Sequence, residues 1–261
     1  MDEWDELLLG PIQRHWPVIL ASCVFWFIAM RAVHIIFSSI SGKYRAMSKE
    51  DQNAFAVRIV AVVHAFISWA TIPGYIDPTP EVIADPLYGP HDTSERTLSV
   101  FFAITTGYFL WDIIVSIYYG WGAAFIMHAF SSFGVFYFGM RPFLPYHGCF
   151  YLGVFEISTP WLHLRGALEQ LDMSGTLVHT ITGVLFFVTF TTVRIIMGFY
   201  VSFFWWLDLI ALMKAGAAHS NAVVLYYLFA NGILMSLQAY WFVEILRAIV
   251  GGGGDDDKKK Q

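Results

Sequence analysis

Long apolar runs dominate the sequence, and short polar or glycine-containing breaks separate them. A bilayer core about 30 Å thick needs about 20 apolar residues of α-helix to cross it. Runs of about that length occur seven times. They lie at about residues 17–40, 55–76, 98–119, 121–140, 145–164, 176–198 and 221–248. The pattern therefore predicts an all-α polytopic membrane bundle with about seven transmembrane helices.

An eighth apolar piece, residues 199–213, follows the sixth run without a polar break. It is shorter than a span and contains Asp208, which favours an interfacial or re-entrant helix. A true eighth span is the alternative. An eighth crossing would place the lysine-rich tail on the other side of the membrane from the remaining basic loops, and this also favours seven.

Composition agrees with a membrane protein and excludes several other classes. Hydrophobic residues make up 57% of the chain and charged residues 13%, whereas soluble domains contain about 25% charged residues. The chain has no basic stripe or arm of the kind that binds nucleic acid. Its two cysteines, Cys23 and Cys149, lie in apolar segments without metal-ligand spacing, so we predict neither a disulfide nor a metal site nor a cofactor.

The distribution of lysine and arginine predicts the orientation. Basic residues lie after the first run, around Lys43, and after the fifth run, at Arg165, and more lie in the tail. The loop 77–97, by contrast, is acidic. The C-terminus is therefore predicted to be cytosolic. Lysines at the third and fourth positions from the end match a retrieval signal of the endoplasmic reticulum; a plain solubilising charge run is the alternative. The predicted parts are an acidic N-terminal segment (1–16), a first transmembrane helix with a basic loop (17–49), the main transmembrane domain (50–248) and a flexible charged tail (249–261).

Ionisable residues inside the apolar runs are candidates for function, because a charge at membrane depth costs at least a few kcal/mol. The helical rise of about 1.5 Å per residue places His64, Asp112, His128 and Glu156 at similar depth in the cytosolic half. We expect them to line a polar cavity, with Asp112 facing His128. The alternative is that they only join helices by hydrogen bonds. The whole candidate set consists of Arg58, His64, Asp112, His128, Glu156 and Arg194.

Other polar positions have simpler interpretations. Arg58 and Arg194 lie nearer the ends of their runs, so they can also extend to the lipid headgroups, and His163 is predicted to be interfacial. Pro160 predicts a kink near Glu156 in the fifth run. Ser158 and Thr159 are available to satisfy a backbone carbonyl that such a kink frees.

The ordered motifs of the chain resemble the TLC-domain family, which includes the ceramide synthases. These motifs are Arg58-Ile59-Val60-Ala61-Val62-Val63-His64, Gly107-Tyr108-Phe109-Leu110-Trp111-Asp112, Met127-His128 and Phe155-Glu156-Ile157-Ser158-Thr159-Pro160-Trp161-Leu162-His163-Leu164-Arg165. The resemblance covers about residues 50–248. The Glu-x-Ser-Thr-Pro form is similar to the branch that does not contain the ceramide synthases.

The resemblance implies acyl transfer only in part. Ceramide synthases have an adjacent pair of histidines and a later aspartate motif. In this chain His128 matches the first histidine, Ala129 occupies the second position, and the aspartate motif is absent. If the chain is an enzyme, His128 is the predicted general base and Asp112 orients it.

These features together predict a protein of lipid homeostasis that binds a lipid or acyl chain as a regulator or carrier without catalysis. The family resemblance implies a connection to sphingolipids. The first alternative is an N-acyltransferase that uses acyl-CoA. The second is a structural or assembly subunit of a membrane complex. We expect residence in the endoplasmic reticulum, no nucleic-acid partner, and an oligomeric state that the sequence leaves open.

Overall fold

The computed structural model describes residues 8–75, 94–140, 152–218 and 220–251, and the described residues form helices with short turns between some of them. The predicted all-α polytopic membrane bundle is confirmed. Five helical segments are long and apolar enough to cross a bilayer. They are Gly10–Ile40, Lys49–Trp69, Val100–Tyr118, Leu177–Lys214 and Asn221–Val250. Predictions for residues 1–7, Cys149, most of the loop 77–97 and the tail 252–261 fall outside the described residues.

The helices follow the order of the predicted runs. They are α1 (Gly10–Ile40), α2 (Gly42–Ala46), α3 (Lys49–Tyr75), α4 (Ser94–Tyr118), α5 (Ala123–Gly139), α6 (Leu152–Phe155), α7 (Thr159–Gln170), α8 (Leu177–Thr189), a π-helical segment (Phe190–Met197), α9 (Gly198–Lys214) and α10 (Asn221–Val250). Helix α5 is apolar but shorter than the five candidate spans.

The core of the bundle lies where α1, α3 and α4 meet. The Ser22 hydroxyl on α1 donates to the carbonyl of Ile104 at 2.6 Å and accepts a hydrogen bond from the Trp26 indole N–H at 3.1 Å. Gly107 allows this close approach, because a Cβ there would lie 2.5 Å from the carbonyl oxygen of Ile19. The Trp26 ring then packs edge-to-face against Tyr108 with centroids 5.2 Å apart. Contacts thus advance in the same direction along both helices, so α1 and α4 run parallel.

The turns after α1, α4 and α7 lie at one end of the bundle, which we call the basic end. Ser41 accepts a hydrogen bond from the backbone N–H of Tyr44 at 3.1 Å and so caps α2. The Tyr44 side chain is fully buried, and its hydroxyl lies 2.6 Å from Nδ1 of His34. Lys43 pairs with Asp172 at 2.8 Å, which joins the loop after α1 to the turn after α7.

The predicted fifth span is not a continuous helix. Its first residues, 145–151, lie outside the described residues, and α6 ends at Phe155 before α7 begins at Thr159. Pro160 occupies the first turn of α7 rather than a helix interior. Proline fits a first turn because it needs no N–H donor there, whereas inside a helix it would clash with the preceding turn. The kink predicted at Pro160 is thus a complete break.

The apolar piece at 199–213, predicted to be an interfacial or re-entrant helix, directly continues the helix of the sixth run. Helices α8 and α9 form one continuous segment of 38 residues, Leu177–Lys214, through the π-helical segment. Gly198 is the junction between the π-helical segment and α9, and its backbone stays helical. A helix of that length spans about 57 Å, well beyond the apolar core of a bilayer.

Candidate functional site

The break between α6 and α7 packs against the π-helical segment, and Arg194 joins the two. Its Nε donates to the Ser158 hydroxyl at 2.7 Å and its Nη2 to the Thr159 hydroxyl at 2.9 Å. The Ser158 hydroxyl in turn donates to the carbonyl of Phe155 at 3.2 Å, so it satisfies a carbonyl freed by the break as expected. Short π-helical insertions are rare and frequently occur at functional sites.

One face of α7 carries His163 and Gly166, and the Arg58 side chain of α3 contacts this face at the glycine. His163 lies one turn after Thr159, and it is within electrostatic range of Arg58, Arg194 and His128. Gly166 follows three residues later on the same face. A Cβ on Gly166 would lie 2.5 Å from Nη1 of Arg58, so the Arg58 guanidinium rests directly on this part of α7. The arginine of α3 is therefore inside the bundle rather than extended to the headgroups.

The two histidines of α3 and α5 contact the same aromatic ring. His64 is buried and stacks on Tyr108, with ring centroids 3.6 Å apart and planes 6° from parallel. Its centroid lies 6.1 Å from that of Phe109, and the His128 centroid lies at the same distance of 6.1 Å from Phe109. His128 also packs against Trp241 of α10 at 5.8 Å. Phe109 is thus the ring that both imidazoles contact.

The two acidic candidates are electrostatic neighbours of each other. Asp112 and Glu156 are both half-buried, and Glu156 lies within electrostatic range of Asp112. Glu156 is also the charged neighbour of Arg194. The hydrogen bonds of the described residues do not include the expected pair of Asp112 with His128. The structure therefore associates Glu156 with Arg194 and Asp112 with Glu156. We call these three groups, together with Arg58, His64, His128 and His163, the polar layer.

Several polar atoms in this layer are buried without a hydrogen-bond partner among the described residues. They are Nε of Arg58, Nε2 of His64, Nδ1 of His128 and Nδ1 of His163. Buried polar groups normally have partners. Groups in this state can donate to or accept from a polar ligand, and the nearby carboxylates can orient an amine or hydroxyl.

Sequence reasoning missed His163 and assigned it to the interface. The residue spacing could have indicated its position. Thr159, His163 and Gly166 lie at i, i+4 and i+7 on one helix face when α7 begins at Thr159. That starting point depends on treating Pro160 as a first-turn residue. Among the described residues, no group of three or more histidine, cysteine or carboxylate side chains is arranged to hold a metal ion.

The comparisons with known proteins all lead to one family. The family model described as the TLC domain matches residues 54–247. An uncharacterised TLC domain-containing protein of Schizosaccharomyces pombe is 29% identical over 249 residues, which cover 94% of this chain and 82% of that protein. TLC domain-containing protein 4-B of Xenopus laevis is 28% identical over 183 residues, which cover 68% of each chain.

A further uncharacterised TLC domain-containing protein, from Saccharomyces cerevisiae, is 30% identical over 128 residues, which cover 46% of this chain and 40% of that protein. These relatives are TLC domain-containing proteins rather than ceramide synthases, in agreement with the branch that the Glu-x-Ser-Thr-Pro form predicts. Since the family model covers most of the polytopic bundle, the chain belongs to the TLC-domain family.

Proposed function

We propose that this protein binds a membrane lipid or acyl chain in the polar layer and acts in lipid homeostasis as a regulator or carrier. The supporting observation is the set of buried, unpartnered nitrogen atoms on Arg58, His128 and His163 inside an apolar bundle. Polar groups at membrane depth are costly and are retained where they serve a substrate or a partner. A lipid supplies both parts that such a site needs, a polar group and an apolar chain.

In this proposal the lipid enters at the helix break between α6 and α7. Non-helical backbone at membrane depth is tolerated where protein buries it or where it lines a cavity. Residues 156–158 are such a segment, and Arg194 holds them from the π-helical segment. The outer face of α8 and α9 is apolar, with exposed side chains such as Ile181, Val188 and Phe203. A lipid in the surrounding bilayer therefore has an apolar route along this face.

The proposal is tested by mass spectrometry of the lipids that co-purify with the full chain. We expect wild-type protein to retain a defined lipid class and His128→Ala to lose at least half of it. His15→Ala is the matched control, because His15 lies on the first turns of α1, where its charged neighbour is Arg14. Bulk membrane lipid in all three samples, without an enriched class, would refute lipid binding at this site.

The second candidate function is N-acyl transfer, and the position of His163 favours it. Ala129 removes the second imidazole of the resemblance, but His163 stands within electrostatic range of His128. In this reaction the amine nitrogen attacks the thioester carbonyl, a C–N bond forms, and the C–S bond breaks. One imidazole takes the proton from the amine, and the coenzyme A thiolate leaves and is protonated.

Incubation of the purified chain with acyl-CoA and a long-chain amine tests this second function. We expect little or no amide, because Nδ1 of His128 has no hydrogen-bond partner among the described residues and the expected pair with Asp112 is not formed. Turnover that disappears in both His128→Ala and His163→Ala, and that persists in His15→Ala, would instead establish the enzyme.

The endoplasmic reticulum and a cytosolic C-terminus are part of the proposal. The loops around Lys43 and Asp172 meet at the basic end, and this supports a cytosolic position for that end. Co-localisation of a tagged full chain with markers of the endoplasmic reticulum checks the organelle.

A further inference from the structure

We infer that Arg58 of α3 and His163 of α7 together bind an oxyanion, namely the phosphate or carboxylate of a lipid. This inference rests on the proposed lipid binding and specifies which lipids the site accepts. It concerns only the end of the polar layer between α3 and α7.

The electrostatic surroundings of His163 are basic. The ionisable groups that influence its ring are Arg58, Arg194 and His128. The carboxylate that influences Arg58 is Glu169. Glu169, however, already pairs with Arg165 at 3.2 Å and with His179 at 3.0 Å toward the end of α7. The space around His163 thus contains more positive than negative charge.

Neither Arg58 nor Arg194 forms an ion pair with a described residue within 4.0 Å. Arg194 donates instead to two neutral hydroxyls. Arg58 has a buried Nε–H without an acceptor, and Nδ1 of His163 is also unpartnered. A neighbouring anion strongly stabilises the charge of a guanidinium in an apolar bundle, since water is excluded and the effective dielectric constant is low. A ligand oxyanion supplies both the charge and the hydrogen-bond acceptors.

The backbone of α7 shapes this position for a planar group. Because Gly166 has no side chain, the Arg58 guanidinium lies against the helix where a Cβ would meet Nη1 at 2.5 Å and Cζ at 2.7 Å. Guanidinium groups hold carboxylate and phosphate oxygens through parallel N–H donors, so a fixed orientation favours these ligands.

The carboxylates limit where the oxyanion can lie. Glu156 neighbours Arg194 and influences Asp112, so the positive charge of Arg194 is already compensated by a carboxylate. An anion placed there would be repelled. The oxyanion therefore lies at the Arg58 and His163 end.

Native mass spectrometry of the full chain in detergent tests the inference with three lipids built from oleoyl chains, of which oleic acid has one and the other two have two. Dioleoyl phosphatidic acid supplies a phosphate, oleic acid a carboxylate, and dioleoylglycerol no charge. We expect at least one anionic lipid to bind about 10-fold more tightly than dioleoylglycerol, as a charge-assisted hydrogen-bonded contact predicts. Preference for phosphatidic acid assigns the site to phosphate, and preference for oleate assigns it to a carboxylate.

Arg58→Gln and His163→Gln should each remove the preference for the anionic lipid. Arg247→Gln is the matched control, since Arg247 is an exposed arginine paired with Glu244 on α10. If Arg58→Gln does not fold, His163→Gln decides the question alone. Equal binding of all three lipids by wild-type protein, or an intact preference in His163→Gln, would overturn the oxyanion site and leave lipid binding standing. Failure of all three lipids to bind, with no lipid co-purifying, would refute both proposals.

Discussion

At the scale of single residues, the most consequential contact is the one between Arg194 and two hydroxyl groups of another helix. Ser158 both accepts from Arg194 at 2.7 Å and donates to Phe155 at 3.2 Å. It is buried, whereas Thr159 is only partly buried. A single oxygen therefore connects the charged side chain of the π-helical segment to the open backbone of the break.

Replacing Ser158 with alanine should destabilise the protein. The change leaves the buried Nε–H of Arg194 and the carbonyl of Phe155 without their partner, which costs about 1–3 kcal/mol. For a chain of this size we expect the apparent melting temperature in detergent to fall by about 2–4 °C per kcal/mol. Ser236→Ala is the matched control, because the exposed Ser236 hydroxyl only donates to the carbonyl of Gly232 in its own helix. Equal melting temperatures for the two variants would contradict this role of Ser158.

At the scale of helices, the packing of α1 on α4 depends on a glycine at their contact. Gly107 lets the backbone of α1 approach so closely that a Cβ would lie 2.5 Å from the Ile19 carbonyl oxygen and 2.6 Å from Cβ of Ser22. Close approach through small residues is a general way for membrane helices to associate. The same contact positions Trp26, Tyr108 and His64 in one aromatic stack.

Gly107→Ala should therefore separate α1 from α4. Both obstructing atoms belong to or adjoin backbone that cannot rotate away, so we expect a loss of about 1–3 kcal/mol, seen as a lower melting temperature. Gly232→Ala serves as control, because its Cβ would meet Trp206 at an ordinary distance of 3.6 Å. That variant should be neutral or slightly more stable, since alanine favours a helix over glycine by about 1 kcal/mol. A Gly107→Ala protein as stable as the Gly232→Ala protein would show that the contact can relax.

At the scale of the whole molecule, the loop after α1 and the turn after α7 meet at the basic end. Lys43 pairs with Asp172, and the Gln170 amide donates to the carbonyl of Asp51 at 3.2 Å. Two segments about 130 residues apart in sequence thus lie on the same side of the membrane. Lysine and arginine in short loops favour the cytosolic side.

Cysteine labelling in sealed vesicles checks this topology. In a chain with Cys23 and Cys149 replaced by alanine, single cysteines at the exposed positions Ala46 and Ser174 should react with an impermeant reagent from the cytosolic side. A cysteine at position 88, between α3 and α4 in the sequence, should react from the other side, because α3 starts at the basic end and crosses the bundle. Labelling of positions 46 and 88 from the same side would refute the predicted arrangement.

The sequence alone determined the fold class, the order of the helices and most of the polar residues in the layer. The physical reason is that a bilayer requires long apolar runs, and both these runs and any charge within them are visible in one dimension. The tertiary structure decided how the helices rotate and where they break. It placed the Arg58 guanidinium against Gly166 of α7, brought His64 and His128 to the same ring of Phe109, and continued α8 into α9. Depth follows from counting residues along a helix. The direction of a side chain turns by about 100° with each residue and depends on the contacts of the neighbouring helices.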